Sequence, residues 1–481
     1  MKLPIVAAAV RSQGHLMGKE ETLVEAVSID SRSIQPGQLF VCIKGERFDG
    51  HNFIHDVAAK GAAAIILEHL PAAPETVCGP GGDRVPLLLV DNALTALARL
   101  AHYHRLQSDS RVVGVTGTAG KTTIKELLAQ VLSQAGETAK NFLNRNNQLG
   151  LPLSMLAATG QEKFWVMEAG ISQPGDMDEL GAILTPDLGV ILNVGSGHTA
   201  GLGDRGAAHY KARFLAHLAK GGIGLINADY LDLVRHARHN CNNLIMFSAQ
   251  GRDAPYRSGY LGPAPAKGND PKDRQTAQSG RFRLWLDGET VEVDAPMRGT
   301  VGAENIIAVA AAAHLMGLSS EQIARGLSQA TLPQQRFAME EVAGWTLIDD
   351  TYNANPLSSE RMINAAADVA SGRNFILVMG EMGELGGIAE AAHQELGRTM
   401  GHTRARAIFW KGNFASDVEE GLSAEGWRGK FFTLADKQEA EFVQNISDLG
   451  LANPVVLFKG SRLNHLEHFL NSLKSSLQSS R

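Results

Sequence analysis

The stretch VVGVTGTAGKTTIKELLAQVL, residues 112–132, passes from an apolar, β-branched run through a turn of small residues into an amphipathic segment with helical spacing. That change of period predicts a buried strand, a tight turn and a helix. Two further apolar runs follow, FWVMEAG at 164–170 and LGVILNV at 188–194, separated by helical segments. Strands alternating with helices predict a mostly parallel, doubly wound sheet. Upstream, QLFVCI and AAAIILE read as short strands and NALTALARLAHYHRL as a helix, so residues 1–107 form a small α/β domain. After LPQQRF at 332–337 the alternation resumes, with strands at TLIDD, FILVMG, AIFW and PVVLFKG, which predicts a third, Rossmann-like domain over 333–481. The central domain then covers 108–332. The overall class is α/β in three domains, and no internal repeat is visible.

Three segments need separate treatment. MKLPIVAAAV is too short and too interrupted at Pro4 for a signal sequence and is read as a first strand. IIAVAAAAHLMG, residues 306–317, falls well short of the ~20 apolar residues that cross a bilayer and is read as a buried helix. Residues 250–281 are rich in Gly, Pro and charge and are read as a long exposed loop.

Composition narrows the function classes. A length of 481 residues suits about three cores. With 44% hydrophobic and 20% charged residues, disorder is excluded as the general state. The net charge of −6 is spread without a basic block or an aromatic-interleaved basic stripe, so a nucleic-acid partner is not expected. Cys42, Cys78 and Cys241 are far apart and lack metal-ligand spacing, which fits free thiols in the cytoplasm. No membrane insertion is expected.

The turn is a variant of the P-loop pattern, with Val115 at the first glycine position and Gly114 one place earlier. Gly117 and Gly120 let backbone N–H groups approach phosphate at a helix N-terminus, where the dipole favours anions. Thr116, Gly117, Thr118, Ala119, Gly120, Lys121, Thr122 and Thr123 are therefore the candidate ATP cradle. Lys121, on what reads as an exposed turn, neutralises β/γ-phosphate charge, and Thr122 offers its hydroxyl to Mg²⁺. Glu168 and His198 end successive strands, where α/β sheets place ligands, and could meet at one metal. A phosphate cradle by itself does not separate a kinase, a nucleotide switch, a motor and a ligase.

The text around the turn does separate them. GTAGKTT, NRNNQLGLP, MEAG, NVGSGH, KARF, NAD, DDTYNANP and FKGSR, in that order, resemble the Mur ligases of bacterial cell-wall synthesis. The N-terminal SIDSRSIQPGQLFVCIKGERFDGHNF narrows the resemblance to members that join D-alanyl-D-alanine to UDP-N-acetylmuramoyl-tripeptide. The resemblance implies a two-step ligation in which ATP phosphorylates the tripeptide carboxylate and the dipeptide amine attacks the acyl phosphate. It implies two Mg²⁺ ions, with Thr122 and Glu168 at one and Glu168, His198 and a carbamylated Lys211 at the other. Lys121, Glu168, His198 and Lys211 would form the catalytic set.

Further roles are implied position by position. Asn305, Arg336 and Asp350 match residues that reach ATP, although Glu304 stands where His is common and Ala308 where a second Asn is expected. Glu381 replaces the more usual Asp. Asn146 and Asn147 match a substrate-facing segment. Ser31, Arg32, Lys44, Gly45, Arg47, Asp49 and His51 match the segments that cradle the uridine diphosphate, where an Arg and Lys pair suits two phosphates. Asn353, Asn355, Lys459 and Arg462 match the side facing dipeptide and phosphate. The expected partners are UDP-N-acetylmuramoyl-tripeptide, D-alanyl-D-alanine and ATP, on a monomer. Alternatives are another amide ligase of the same superfamily, including a folylpolyglutamate synthase, or a P-loop switch or kinase.

Overall fold

The structure, a computed structural model, describes residues 1–12, 21–195, 206–265 and 279–479. Three sheets organise it. The first holds four parallel strands in chain order, Ala26–Ser28, Gln38–Val41, Ala64–Leu67 and Leu87–Leu89. Helices Leu3–Val10 and Ala93–Gln107 cover one face, and Ile54–Ala59 covers the other.

The second sheet has nine strands. Arg111–Thr116 lies inside it, paired in parallel with Phe164–Glu168 on one side and Leu188–Ile191 on the other. Ile223–Asn227, Leu244–Ser248 and Tyr256–Pro263 extend it in parallel, and Gly280–Leu286 and Glu289–Ala295 close it as antiparallel strands. Both faces are covered, as parallel strands require. Val113 and Val115 pack with Ile124, Leu128, Ile306 and Ala310, while Val112 packs with Trp165 and Phe214 on the opposite side.

The third sheet runs Ala338–Val342, Trp345–Asp350, Val455–Lys459, Phe375–Gly380, Ala407–Lys411 and Lys430–Thr433, with only the first strand antiparallel. Helices lie on both its faces, including Pro356–Ala370 on one and Leu466–Ser479 on the other. Glu168, Asp350 and Lys459 each end a parallel strand, so the fold delivers all three at carboxyl edges of sheets.

Two expectations are corrected. MKLPIVAAAV is a helix, Leu3–Val10, rather than a strand. Leu3, Val6, Ala7 and Val10 are its buried residues, a helical spacing, and Pro4 sits in the first turn, where its missing N–H leaves no intrahelical bond unmade. Residues 250–281 are not one long loop, because Tyr256–Pro263 joins the central sheet against Gly280–Leu286. Tyr256 and Ser258 are buried while Arg257 is exposed, so the strand needed one covered face and its Gly and Arg content hid it. Residues 266–278 lie outside the described residues. Among the described residues no helix is long and apolar enough to cross a membrane.

The approach of Phe214 to the strand Arg111–Thr116 leaves no room at Gly114, where an added Cβ would stand 2.4 Å from the ring. Gly114→Ala is expected to destabilise the central unit by about 1–3 kcal/mol through overpacking. A thermal melt checks this, and an unchanged midpoint would contradict the packing described.

Candidate functional site

The phosphate turn is built by the strand Arg111–Thr116 and the helix Lys121–Leu132. Gly120 caps that helix at φ +84°, a conformation that a side chain disfavours, and a Cβ there would crowd Asn305 Oδ1 at 3.2 Å. Asn193 shapes the turn from below. Its Oδ1 accepts from the amides of Thr118 at 3.1 Å and Ala119 at 2.8 Å, and its Nδ2 donates to the Ala119 carbonyl at 3.0 Å. Lys121 is half-buried rather than on an exposed turn. Its ammonium donates to the Gly117 carbonyl at 2.8 Å, and burial pulls its pKa down while Glu168 opposes that shift. Thr116 is fully buried and its hydroxyl points at Met177 Sδ, 3.7 Å away, so it supports the turn from inside.

Glu168 is almost fully buried and is held from several directions. Thr122 donates its hydroxyl to Oε2 at 2.8 Å, and Asn146 donates to Oε1 at 2.6 Å. Asn141 accepts from the Glu168 amide at 2.9 Å and donates to its carbonyl at 3.0 Å. The grouping of a hydroxyl and a carboxylate at a phosphate turn is an all-oxygen donor set that suits a hard cation such as Mg²⁺. Lys211 is 0% exposed, and its Nζ has no hydrogen-bond partner among the described residues. Burial, reinforced by the charge of Lys121, pushes its pKa down to about 7. His198 lies outside the described residues.

The third unit faces this turn. Arg336 donates to Thr122 Oγ1 at 3.3 Å and lies over the Tyr352 ring at 3.9 Å, with Arg462 5.9 Å from the same ring. Lys459 pairs with Asp350 at 2.6 Å and donates to the Asn353 carbonyl at 2.9 Å. Asp350 also accepts from the Phe337 amide at 3.0 Å, so it braces the cation as well as the backbone. Asn355 caps the helix Pro356–Ala370 through Ser358 and extends its Nδ2 to the Thr118 carbonyl at 3.4 Å.

One cleft of about 400 Å³ therefore gathers residues 118–123, Asn146, Asn147, Glu168, Asn305, Arg336, Asp350, Asn353, Asn355 and Lys459. Within it Asn147 is occupied by the backbone ahead of the helix Gly150–Ala157, accepting from the Gly150 amide at 2.8 Å. Asn353 accepts from the Ala354 amide at 2.9 Å.

The residues of the first unit are not part of this cleft. Arg32 is 87% exposed and bound to Asp30 at 2.7 Å, and the Ser31 carbonyl accepts from Lys60 at 2.6 Å. Lys44 bridges to Asp49 in a tight hairpin that carries Gly45 and the exposed Arg47 at its tip. His51 is consumed internally. Its Nδ1 pairs with Asp49 at 2.6 Å and its Nε2 accepts from the Glu68 amide at 3.0 Å, so it sets the loop rather than presenting a free nitrogen.

Sequence reasoning did not single out Asn193, Asn141, Lys125 or Tyr352. Asn193 and Tyr352 stood inside quoted motifs, each immediately after or near a strand end, which was the available signal. Lys125 is fully buried, donating to the carbonyls of Asn141 at 2.8 Å and Leu143 at 2.7 Å, and nothing in its spacing marks it.

Comparison with known proteins follows the same three units. Residues 23–105 match the Mur ligase family catalytic domain, 115–313 the Mur ligase middle domain, and 335–462 the Mur ligase glutamate ligase domain. The chain is 30% identical over 461 residues to the UDP-N-acetylmuramoyl-tripeptide–D-alanyl-D-alanine ligase of Bacillus subtilis, covering 95% of this chain and 94% of that one. It is similar to a crystal structure of MurF from Acinetobacter baumannii, with a TM-score of 0.84 and 29% identity over 98% of both chains. A second similar structure is the MurF ligase of Thermotoga maritima in complex with ADP, with a TM-score of 0.78 and 25% identity over 96% of this chain and 100% of that one. With a matched domain for each sheet and 30% identity sustained over nearly its whole length, the chain belongs to the Mur ligase family.

Proposed function

We propose that this chain joins D-alanyl-D-alanine to UDP-N-acetylmuramoyl-tripeptide at the expense of ATP, the activity named for the Bacillus subtilis relative, as a step in peptidoglycan precursor synthesis. The observation that carries the reading is the cleft in which the phosphate turn, Glu168 and the third-unit cations Arg336 and Lys459 face one another. A tripeptide carboxylate oxygen attacks the γ-phosphorus of ATP and the bond to the bridging oxygen breaks, releasing ADP. The dipeptide amine then attacks the carbonyl carbon of the acyl phosphate, and inorganic phosphate leaves with the bonding electron pair as the amine gives up its proton. Bringing a carboxylate to a triphosphate joins two anions, so cations must neutralise both. Lys121, Arg336 and Lys459 line the cleft and would serve that task.

Thr122 and Glu168 would hold one Mg²⁺, and Glu168, His198 and Lys211 a second; when bound, the ions neutralise the phosphate oxygens. The buried Nζ of Lys211, without a hydrogen-bond partner among the described residues, supports a carbamate there, since CO₂ adds to a neutral amine, and burial favours that form. The resulting anion would suit a cation where an ammonium would repel it.

By this reading residues 1–107 take the UDP moiety through Arg32, Lys44 and Arg47, with Asp49 and His51 setting their loop. Residues 108–332 take the triphosphate, with Asn305 toward the base, and 333–481 close over it with Asn353, Asn355 and Arg462. A cytoplasmic monomer is the form proposed, and the three free cysteines suit a reducing compartment.

Phosphate release measured with UDP-N-acetylmuramoyl-tripeptide and ATP is expected to depend on D-alanyl-D-alanine. Release that ignores the dipeptide would overturn the ligase reading in favour of a nucleotide switch. Lys121→Ala is expected to lower turnover by at least about 100-fold, because the transition state loses a charge partner, with circular dichroism unchanged. Near-normal turnover would remove Lys121 from the site.

Lys211→Ala is expected to lose about 100-fold or more in activity as a metal-site lesion, and acetate or formate should restore part of it by replacing the missing anion. A fully active variant, or an inactive one that no small carboxylate rescues, would return Lys211 to a structural role.

A further inference from the structure

Glu304 is a buried carboxylate that does not line the cleft. It lies in the buried helix Gly299–Leu315 and is 6% exposed. Both its oxygens are engaged. Arg361, on the third-unit helix Pro356–Ala370, donates through Nη2 to Oε2 at 2.8 Å, and Asn193 donates through Nδ2 to Oε1 at 3.3 Å. The same Arg361 nitrogen bonds the hydroxyl of Tyr230, whose ring lies 5.9 Å from the guanidinium carbon. Tyr230 and Glu304 belong to the central unit, so Arg361 crosses between units to reach both. Asn193 is the residue that holds the amides of Thr118 and Ala119. Three side chains therefore connect a helix of the third unit to the phosphate turn.

We propose that Glu304 and Arg361 are positioning residues that clasp the third unit to the central unit and, through Asn193, hold the phosphate turn in its ATP-receiving shape. The pair is well suited to setting register. Each ion is buried only with the other, and separating the units exposes both to water, so partial or shifted docking leaves a charge without partner or solvent. Glu304 also aligns its neighbour Asn305, which faces the cleft 3.2 Å from where a Cβ on Gly120 would stand. The inference rests on ATP occupying that cleft.

The test compares Glu304→Met, Arg361→Met and the double variant in the full chain. Replacing a buried ion pair on both sides by apolar groups is often neutral for stability, whereas each single variant strands a charge. The double variant is expected to keep its melting temperature within a few degrees. It should raise the KM for ATP about tenfold, a size typical of coupled neighbours, and leave the KM for D-alanyl-D-alanine unchanged. The affinity for a non-hydrolysable ATP analogue, read by titration calorimetry, should fall by the same factor. Singles that fold should be no better than the double, because the two side chains act as one unit.

An unchanged KM and analogue affinity in the double variant would overturn the proposal. So would effects that multiply between the singles, or equal rises in all KM values with a lowered melting temperature. If a single variant fails to fold, the double variant still decides. Because analogue affinity needs no turnover, the clasp can fail while dipeptide-dependent phosphate release stands, and the ligase reading can fail while the clasp stands.

Discussion

The centre of this protein depends on keeping one buried carboxylate hydrogen-bonded and oriented inside it. Glu168 ends a strand flanked by apolar neighbours, and an isolated carboxylate there would be strongly penalised. The surrounding chain is arranged to satisfy it. Thr122 comes from the first turn of the helix behind the phosphate turn, Asn146 from the Asn-rich loop, and Asn141 from the start of that loop. Lys125, buried one helical turn beyond Lys121, fixes the loop by binding two of its carbonyls. Strand, turn, helix and loop therefore meet at one carboxyl group, and their mutual geometry is specified by hydrogen bonds at that residue.

Around that carboxyl group the fold assembles cations from two units. Lys121 belongs to the central unit, while Arg336, Lys459 and Arg462 are carried by the third. Along the cleft Lys121, Arg336, Arg361 and Lys459 alternate with Glu168, Asp176, Asp350 and Glu384, so cations are set where a triphosphate would meet a carboxylate while the lining as a whole stays balanced. Several of these cations are braced. Asp350 holds Lys459, and Tyr352 receives Arg336 on its ring, so the charges are fixed before substrate arrives.

Polar contacts join the units at this point. Arg336 to Thr122 spans 3.3 Å, Asn355 to Thr118 spans 3.4 Å, and the Arg361 contacts lie at the far end. Interfaces of this kind permit relative motion. A ligase needs such motion, because the acyl phosphate must form away from water yet the dipeptide must enter.

Sequence alone determined what local periodicity and local chemistry encode. The strand–turn–helix of residues 111–132, the strand ends at Glu168, Asp350 and Lys459, and the three α/β units follow from apolar runs whose burial was predictable. It failed where two patterns compete. Leu3–Val10 is apolar enough for strand or helix, and only its buried residues, at helical spacing, decide. Tyr256–Pro263 resembles a loop until Gly280–Leu286 lies beside it. The tertiary structure also divided polar residues that look equivalent in the text. Asn146 reaches Glu168 while Asn147 accepts from the Gly150 amide, and His51 is spent on Asp49 and the Glu68 amide. Glu304 finds Arg361 57 positions away and Asn193 111 positions away. A side chain's identity states which bonds it can make, but only packing brings it a partner, and a buried polar group has no stable place without one.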